Sequence, residues 1–309
     1  MLLGVSMKPK VTLGICVRNC EHYIKETIES VVAQDIPHKL LEVIIVDDGS
    51  EDNTLTAIKQ SVSGIDIPTK IFHTPWKGIG HARNLVVANA KGDFILWVDG
   101  DMVLSKDFIR KLLEFMERNP KVGIAKGKQA LVPGRNMLAT LESYSRAAGR
   151  MVNYMLDKGR FKALGTGGAI YRRQIFEQVG VFDENLRGYN EDWDLEIRAK
   201  EDGWQLSTVD VYFLDYERLG LTWKSLWSRY WTRGYHTHYF LHKNGGIIKH
   251  YRMFPPAAIL SGLIHALKLY KLTQKKIVFA LPLQSFFKMI AWYAGFVRSH
   301  LDSYAPTSE

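Results

Sequence analysis

A chain of 309 residues, 46% of them hydrophobic, is long enough for one large α/β domain or two smaller ones and too apolar for a disordered or collagen-like protein. Its 41 Lys and Arg against 32 Asp and Glu leave a net charge of +9, a bias toward anions such as nucleotide diphosphates, acidic lipid surfaces or nucleic acid. Two cysteines, Cys16 and Cys20, in a C-x3-C spacing, exclude a secreted disulfide framework, are not spaced as a zinc or redox pair, and favour a reducing, cytosolic setting.

The opening MLLGVSMKPK has no apolar run of signal-peptide length. From Val11 the chain alternates two periods. VTLGICV reads as a strand, and Tyr23, Ile24, Thr27, Ile28, Val31 and Val32 then fall on one helical face. LLEVIIV (strand), DNTLTAIKQSV (helix), TKIFHT (strand), GHARNLVVANA (helix) and DFILWV (strand) continue the alternation, and Phe108, Ile109, Leu112, Leu113 and Met116 mark another helix. Strands separated by helices predict a mostly parallel sheet, because each return needs a right-handed crossover. In such a sheet ligands bind beyond the carboxyl ends of the strands. After residue 122 the pattern mixes helix-like and strand-like pieces up to about Tyr216, and from Leu221 it turns aromatic and basic, then strongly apolar.

Two predicted strand ends are acidic, Asp47-Asp48-Gly49-Ser50 and Asp99-Gly100-Asp101. Asp99 and Asp101 project to the same side of an extended backbone, and Gly100 lets an anionic ligand approach. Paired carboxylates repel unless a hard cation, Mg²⁺ or Mn²⁺, sits between them and is shared with a diphosphate; the bland alternative is a solvated turn. Asp47 and Asp48 can cap the following helix, which accounts for one acid, or accept from the N–H and hydroxyl donors of a base or ribose. Gly78, Gly80 and Arg83 stand at a predicted helix start, where a phosphate or nucleotide is readily bound. No G-x-G-x-x-G follows the first strand and no G-x-x-x-x-G-K-[ST] occurs. In Tyr189-Asn190-Glu191-Asp192-Trp193-Asp194 the acids open another helix, as dipole and cap residues or with one carboxylate serving as a general base.

VDDGS (46–50), G-x-x-x-x-R-N (78–84), DGD (99–101), GTGGAIYRR followed by VGVFDE (165–184) and NEDWDLEIRAKEDG (190–203) stand in the order and spacing of a known family. From about Val11 to Asp215 the chain resembles the family 2 glycosyltransferases, inverting enzymes that use nucleotide sugars. The resemblance implies a GT-A type, Rossmann-like α/β fold, a mixed but mostly parallel sheet flanked by helices. It makes 8–216 the catalytic domain and leaves 217–309 as a helical extension. It implies that Asp47 or Asp48 contacts the nucleoside, that Arg18 lies where a loop wraps the base, and that Asp101 leads the binding of Mn²⁺ or Mg²⁺ with Asp99 nearby. Asp192 is then the base and Glu191 lines the acceptor site. One departure stands out: where such enzymes often carry a metal-contacting histidine, this chain offers Asp215 and Tyr216, with no histidine until His236.

The expected reaction is transfer from a nucleotide-diphosphate sugar to a hydroxyl of a glycan or lipid-linked saccharide. Two alternatives stay open: a polyprenyl-phosphate acceptor, which needs no base, and a non-catalytic sugar-nucleotide binder on the same fold. Nucleic acid is not an expected partner, since no concentrated basic stripe precedes residue 224. Trp223, Trp227, Tyr230 and Trp231, interspersed with Lys224, Arg229 and Arg233, read equally as core packing or as a lipid-headgroup surface. His236, His238 and His242 do not suggest a metal site. Ile277 to Val297 is apolar and just long enough to cross a bilayer, but Pro282, Gln284 and Lys288 interrupt it. With Lys268, Lys271, Lys275, Lys276 and Arg298 around it, the expectation is peripheral association with an anionic membrane on the cytosolic face.

Overall fold

A computed structural model describes residues 8–147, 163–215, 220–245 and 254–303. The chain divides into two compact units, 1–128 with 153–184 and 195–214, and 129–152 with 185–194 and 215–309. Two internal segments thus join the second unit ahead of the C-terminal stretch.

The first unit is a βα alternation. Strands β1 (Val11–Val17), β2 (Leu41–Asp48), β3 (Thr69–Thr74) and β4 (Phe94–Trp97) alternate with helices α1 (Ile24–Val32), α2 (Thr54–Ser61) and α3 (Ile79–Asn89). A short β5 (Met102–Leu104), α4 (Phe108–Arg118), β6 (Val122–Gln129), β7 (Ala169–Arg172), α6 (Gln174–Gln178) and β8 (Gln205–Asp215) complete it; α5 (Met137–Ala147) lies in the second unit and α7 (Glu191–Glu201) begins there. The sheet order is β3-β2-β1-β4-β7-β6-β8-β5. β1 pairs in parallel with β2 and β4, and β2 with β3, whereas β7 runs antiparallel to β4 and β6. The expected mixed, mostly parallel sheet is therefore present.

Period-two alternation builds the two faces. Val43 and Ile45 join Val11, Leu13 and Ile15 in one apolar layer with α1 and α4, while Ile44 and Val46 join Trp97, Ile124 and Tyr171 in the opposite one. Burial on both faces explains why β2 reads as a continuous apolar run. Gly14 makes room for the Trp97 ring, which a Cβ there would meet at 2.7 Å.

In the second unit, α8 (Trp223–Lys243), α9 (Pro255–Thr273) and α10 (Leu281–Leu301) pack with α5. Thr222 and Ser225 form a reciprocal cap at the start of α8, each side chain accepting from the other's backbone N–H. Tyr230 is buried, whereas Trp223 and Trp227 pack edge-on against Phe287 and remain partly exposed, so the aromatic stripe is only half core. Pro282 opens α10 instead of interrupting it, and residues 276–280 form a separate 3-10 turn. Gln284 and Lys288 face inward: Gln284 Nε2 donates to the Leu138 carbonyl at 3.2 Å, and Lys288 Nζ donates to Glu142 Oε2 at 2.7 Å.

Burial alone would raise the Glu142 carboxyl, but Lys288, Arg146 and Arg229 hold it down to about 2. A carboxyl depressed on folding stabilises the native state above its unfolded value near 4.5 and loses that contribution as pH falls toward 2. Lys288→Met removes the hydrogen-bonded cation from the buried carboxylate while Arg146 stays 3.7 Å away, and is expected to cost about 1–3 kcal/mol, whereas Glu142→Leu with Lys288→Met recovers most of that loss. Urea denaturation at neutral pH checks both variants; equal stability of Lys288→Met and the unsubstituted chain would contradict the pairing.

Candidate active site

In the first unit the chain moves from β1 out to β2 and β3 and then returns to place β4 on the other side of β1. The topological switch point therefore lies between the carboxyl ends of β1 and β4, where open α/β sheets bind ligands. Arg18 follows β1, Asp47 and Asp48 end β2, and Asp99 to Asp101 follow β4, so these predicted residues share one rim.

Both β2 acids are buried and engaged. Asp47 Oδ1 accepts from the Ser50 N–H at 3.1 Å and from its hydroxyl, and Oδ2 faces His73 Nδ1 at 3.0 Å. Asp48 accepts from the N–H groups of Lys77 and Gly78, both at 2.9 Å, and so fixes the loop leading into α3. That loop carries Trp76, which sequence reasoning missed. Its indole is 51% exposed, with the Arg18 guanidinium 5.4 Å from the ring centre. Arg18 also donates from Nε to the Gly49 carbonyl at 3.2 Å and pairs with Glu51 at 2.8 Å. Gly49, at φ +69°, passes so close to Trp76 that a Cβ would lie 2.5 Å from the Trp76 backbone nitrogen. A cation and an exposed aromatic surface thus bridge the ends of β1, β2 and β3.

Asp99 and Asp101 are both half-buried. The Thr27 hydroxyl donates to the Gly100 carbonyl at 2.8 Å, and a side chain at Gly100 would strike Val17 and Cys20. The glycine-rich segment crosses this turn: the Gly168 N–H donates to the Trp97 carbonyl at 2.9 Å, and a Cβ on Gly167 would collide with Asp99 Oδ2. A side chain at position 167 would have to displace the Asp99 carboxylate. Glu196, also unread from the sequence, anchors the segment, its buried carboxylate accepting from the N–H groups of Leu164 (2.7 Å) and Gly165 (2.8 Å) and from the Tyr171 hydroxyl (3.2 Å).

Two carboxylates on one turn suit a hard divalent cation that takes its remaining ligands from phosphate and water. Among the described residues no group of three or more His, Cys, Asp or Glu gathers into a metal cluster. Asp215 is buried with Arg146 Nη1 3.5 Å from its Oδ2, and Tyr216 lies outside the described residues.

Gly80 and Arg83 lie in the first turns of α3. A Cβ on Gly80 would meet the Asp183 carbonyl at 3.1 Å, and the buried Arg83 guanidinium stacks 5.9 Å from Trp97 and 5.7 Å from Phe182.

Glu191 and Asp192 open α7 in the second unit, after Asn190 at φ +74°. Asn190 Nδ2 donates to the Thr237 hydroxyl at 3.1 Å, tying the helix start to α8. Glu191 is buried, Asp192 is half-exposed with Oδ1 accepting from the Trp193 N–H at 2.8 Å, and Asp194 is buried against Lys243 at 2.9 Å. Of the three acids, Asp192 is the least buried.

Residues 12–180 match the model of glycosyl transferase family 2. TarS of Staphylococcus aureus, a poly(ribitol-phosphate) beta-N-acetylglucosaminyltransferase, is 32% identical over 110 residues, 36% of this chain and 19% of that protein. The probable glycosyltransferase YdaM of Bacillus subtilis is 28% identical over 237 residues, 73% of this chain and 55% of its own length. The chain thus spans between about a fifth and about half of these relatives. Among solved structures, the mannosyltransferase PcManGT of Pyrobaculum calidifontis, in complex with GDP-Man and Mn²⁺, superposes with a TM-score of 0.68 at 18% identity, over 97% of this chain and 89% of that one. At that identity the likeness is one of fold.

Proposed function

The chain belongs to glycosyl transferase family 2, and from that membership we propose that it transfers a sugar, with inversion, from a nucleotide-diphosphate sugar to a hydroxyl of a glycan or lipid-linked saccharide. The observation that carries the reading is the acidic rim at the switch point, with Asp99 and Asp101 flanking a glycine and a second glycine pressed against the Asp99 carboxylate. TarS, an N-acetylglucosaminyltransferase by name, and the structural neighbour PcManGT, solved with GDP-Man and Mn²⁺, support the donor class.

Asp101 and Asp99 would hold Mn²⁺ or Mg²⁺. When bound, such an ion neutralises charge developing on a diphosphate leaving group. Asp47, Asp48 and Arg18 shape the nucleoside end of the rim. Gly80 and Arg83, at the start of α3, stand on the phosphate side of the donor. Asp192 takes the proton from the acceptor hydroxyl as the oxygen attacks the anomeric carbon, and Glu191 lines the acceptor side. With a single base and a direct displacement, the bond to the acceptor forms on the face opposite the departing diphosphate. An NMR assay of the transfer product tests this: its anomeric configuration is expected to be inverted relative to the donor, and retention would require a different mechanism.

The exposed Trp76 indole and the adjacent Arg18 offer a stacking surface for the nucleobase. Stacking of a base on an aromatic side chain is worth about 1–3 kcal/mol. Trp76→Ala is therefore expected to weaken nucleoside-diphosphate binding about ten-fold or more, with Trp76→Phe recovering most of it. Titration with UDP and GDP reads the effect, and unchanged affinity in Trp76→Ala would remove Trp76 from the donor site.

The remaining partner in this reading is an anionic membrane surface on the cytosolic side. It suits the net charge of +9 and a lipid-linked acceptor.

A further inference from the structure

α9 and α10 carry many of their large apolar side chains on the outer face. On α9 the residues turned into the bundle are small, Ala258, Gly262 and Ala266, with Leu269, while Leu260 (64% exposed), Leu263, Ile264 and Leu267 stand in solvent. On α10 the inward face holds Leu281, Ala291 and Trp292 together with Gln284, Lys288, Gly295 and Ser299, while Leu283 (68% exposed), Ile290, Tyr293, Val297 and Leu301 point out. A helix of a water-facing bundle carries the reverse pattern, with large aliphatics buried and polar groups outside. Small residues at the contacts and large apolar ones outside are how helices pack when the surroundings are apolar. The approach is close: a Cβ on Gly262 would lie 2.7 Å from Pro282 Cα, and one on Gly295 would collide with the Trp231 carbonyl.

We propose that α9 and α10 dock in the interfacial layer of an anionic phospholipid bilayer, with their outward aliphatic side chains among the acyl chains. The proposal deepens the membrane partner in the preceding reading by assigning the face and its mode of contact. Charge selects the occupant. Lys268, Lys271, Lys275 and Lys276, all exposed, surround the junction of the two helices. A second copy of the chain would bring the same lysines against them, whereas anionic headgroups supply the opposite charge.

Length selects the mode. Lys276–Leu301 meets the length and hydropathy requirement for a span. On α9, however, the uncharged outward run from Pro256 to Leu267 covers only about 18 Å at about 1.5 Å per residue, short of a hydrocarbon core of about 30 Å, and on α10 the exposed Arg298 stands before the last outward leucine, Leu301. Lysines at one end and aliphatics along the side suit a helix lying in the boundary.

Flotation of the full chain with vesicles tests this, using phosphatidylcholine alone and phosphatidylcholine with 30 mol% phosphatidylglycerol as about the usual anionic fraction. Binding to the anionic vesicles is expected, falling at least about ten-fold in Leu260→Ser/Ile264→Ser/Leu267→Ser. The quadruple Lys→Gln variant at 268, 271, 275 and 276 is expected to lose about five-fold per lysine. These side chains are outward, so helicity by circular dichroism should be retained; if the serine variant fails to fold, the lysine variant decides. A chain that ignores anionic vesicles at low salt, or binds them equally with either set replaced, overturns the proposal. So does dimerisation by light scattering without vesicle binding. Donor titration of the same preparation separates the two readings, since binding of nucleotide sugar without vesicles defeats only the membrane face, and vesicles without nucleotide sugar only the acidic rim.

Discussion

Asp192→Asn is expected to leave nucleotide-sugar affinity within about two-fold while lowering transfer to a hydroxyl acceptor by about 10²–10⁴, the usual worth of general base catalysis. The amide is nearly isosteric with the carboxylate and can still accept from the Trp193 N–H, so the first turn of α7 keeps its local hydrogen bond. What it cannot do is take a proton. The kinetic signature is a fall in kcat with KM little changed, because the lost interaction belongs to the transition state. Single-turnover transfer with the donor saturating reads it directly. Retained turnover would sink the base assignment, and a near-silent substitution would point to an acceptor already ionised, such as a polyprenyl phosphate. Glu191 is the control, since it is buried and its replacement perturbs the helix start as well as the acceptor side.

The second large effect is expected at the turn after β4. Asp101→Ala should abolish cation-supported donor binding, and Asp99→Ala should weaken it less. Loss of residues that merely orient metal ligands typically costs about 10–100-fold in metal affinity, so loss of a direct ligand should reach the upper end of that range or pass it. Both carboxylates are half-buried at the rim, and the hydrogen bond from Thr27 to the Gly100 carbonyl involves backbone that neither substitution removes. The fold should persist, as thermal denaturation without ligand will check. Small and equal losses in the two variants would contradict the assignment of Asp101 as the leading ligand.

Much of the first unit was legible because its strands obey one rule. β1 to β4 are short runs separated by helices of clear period, and the two acidic strand ends follow from the parallel topology. The three-residue β5 escaped because so short a strand has no period to read. Trp76 escaped because a lone aromatic in a loop carries no pattern; its loop is set by Gly49, by Gly78 at φ +101° and by the Asp48 carboxylate, contacts made across 29 and 30 residues of chain. Glu196 reads as a helix-surface acid until the backbone N–H groups of Leu164 and Gly165 are brought to it. Lys288 misled for a related reason. As a single letter it interrupts an apolar stretch, but in the folded unit it answers Glu142, 146 residues away, and turns the aliphatic face of α10 outward.

The most direct test of the central claim is calorimetric titration of the full chain with UDP- and GDP-sugars, with and without Mn²⁺. One donor is expected to bind, its affinity rising about ten-fold or more with the cation, and the cation-dependent part is expected to vanish in Asp101→Ala. Failure of every nucleotide sugar to bind at millimolar concentration with Mn²⁺ present, or binding that Asp101→Ala leaves untouched, would contradict it.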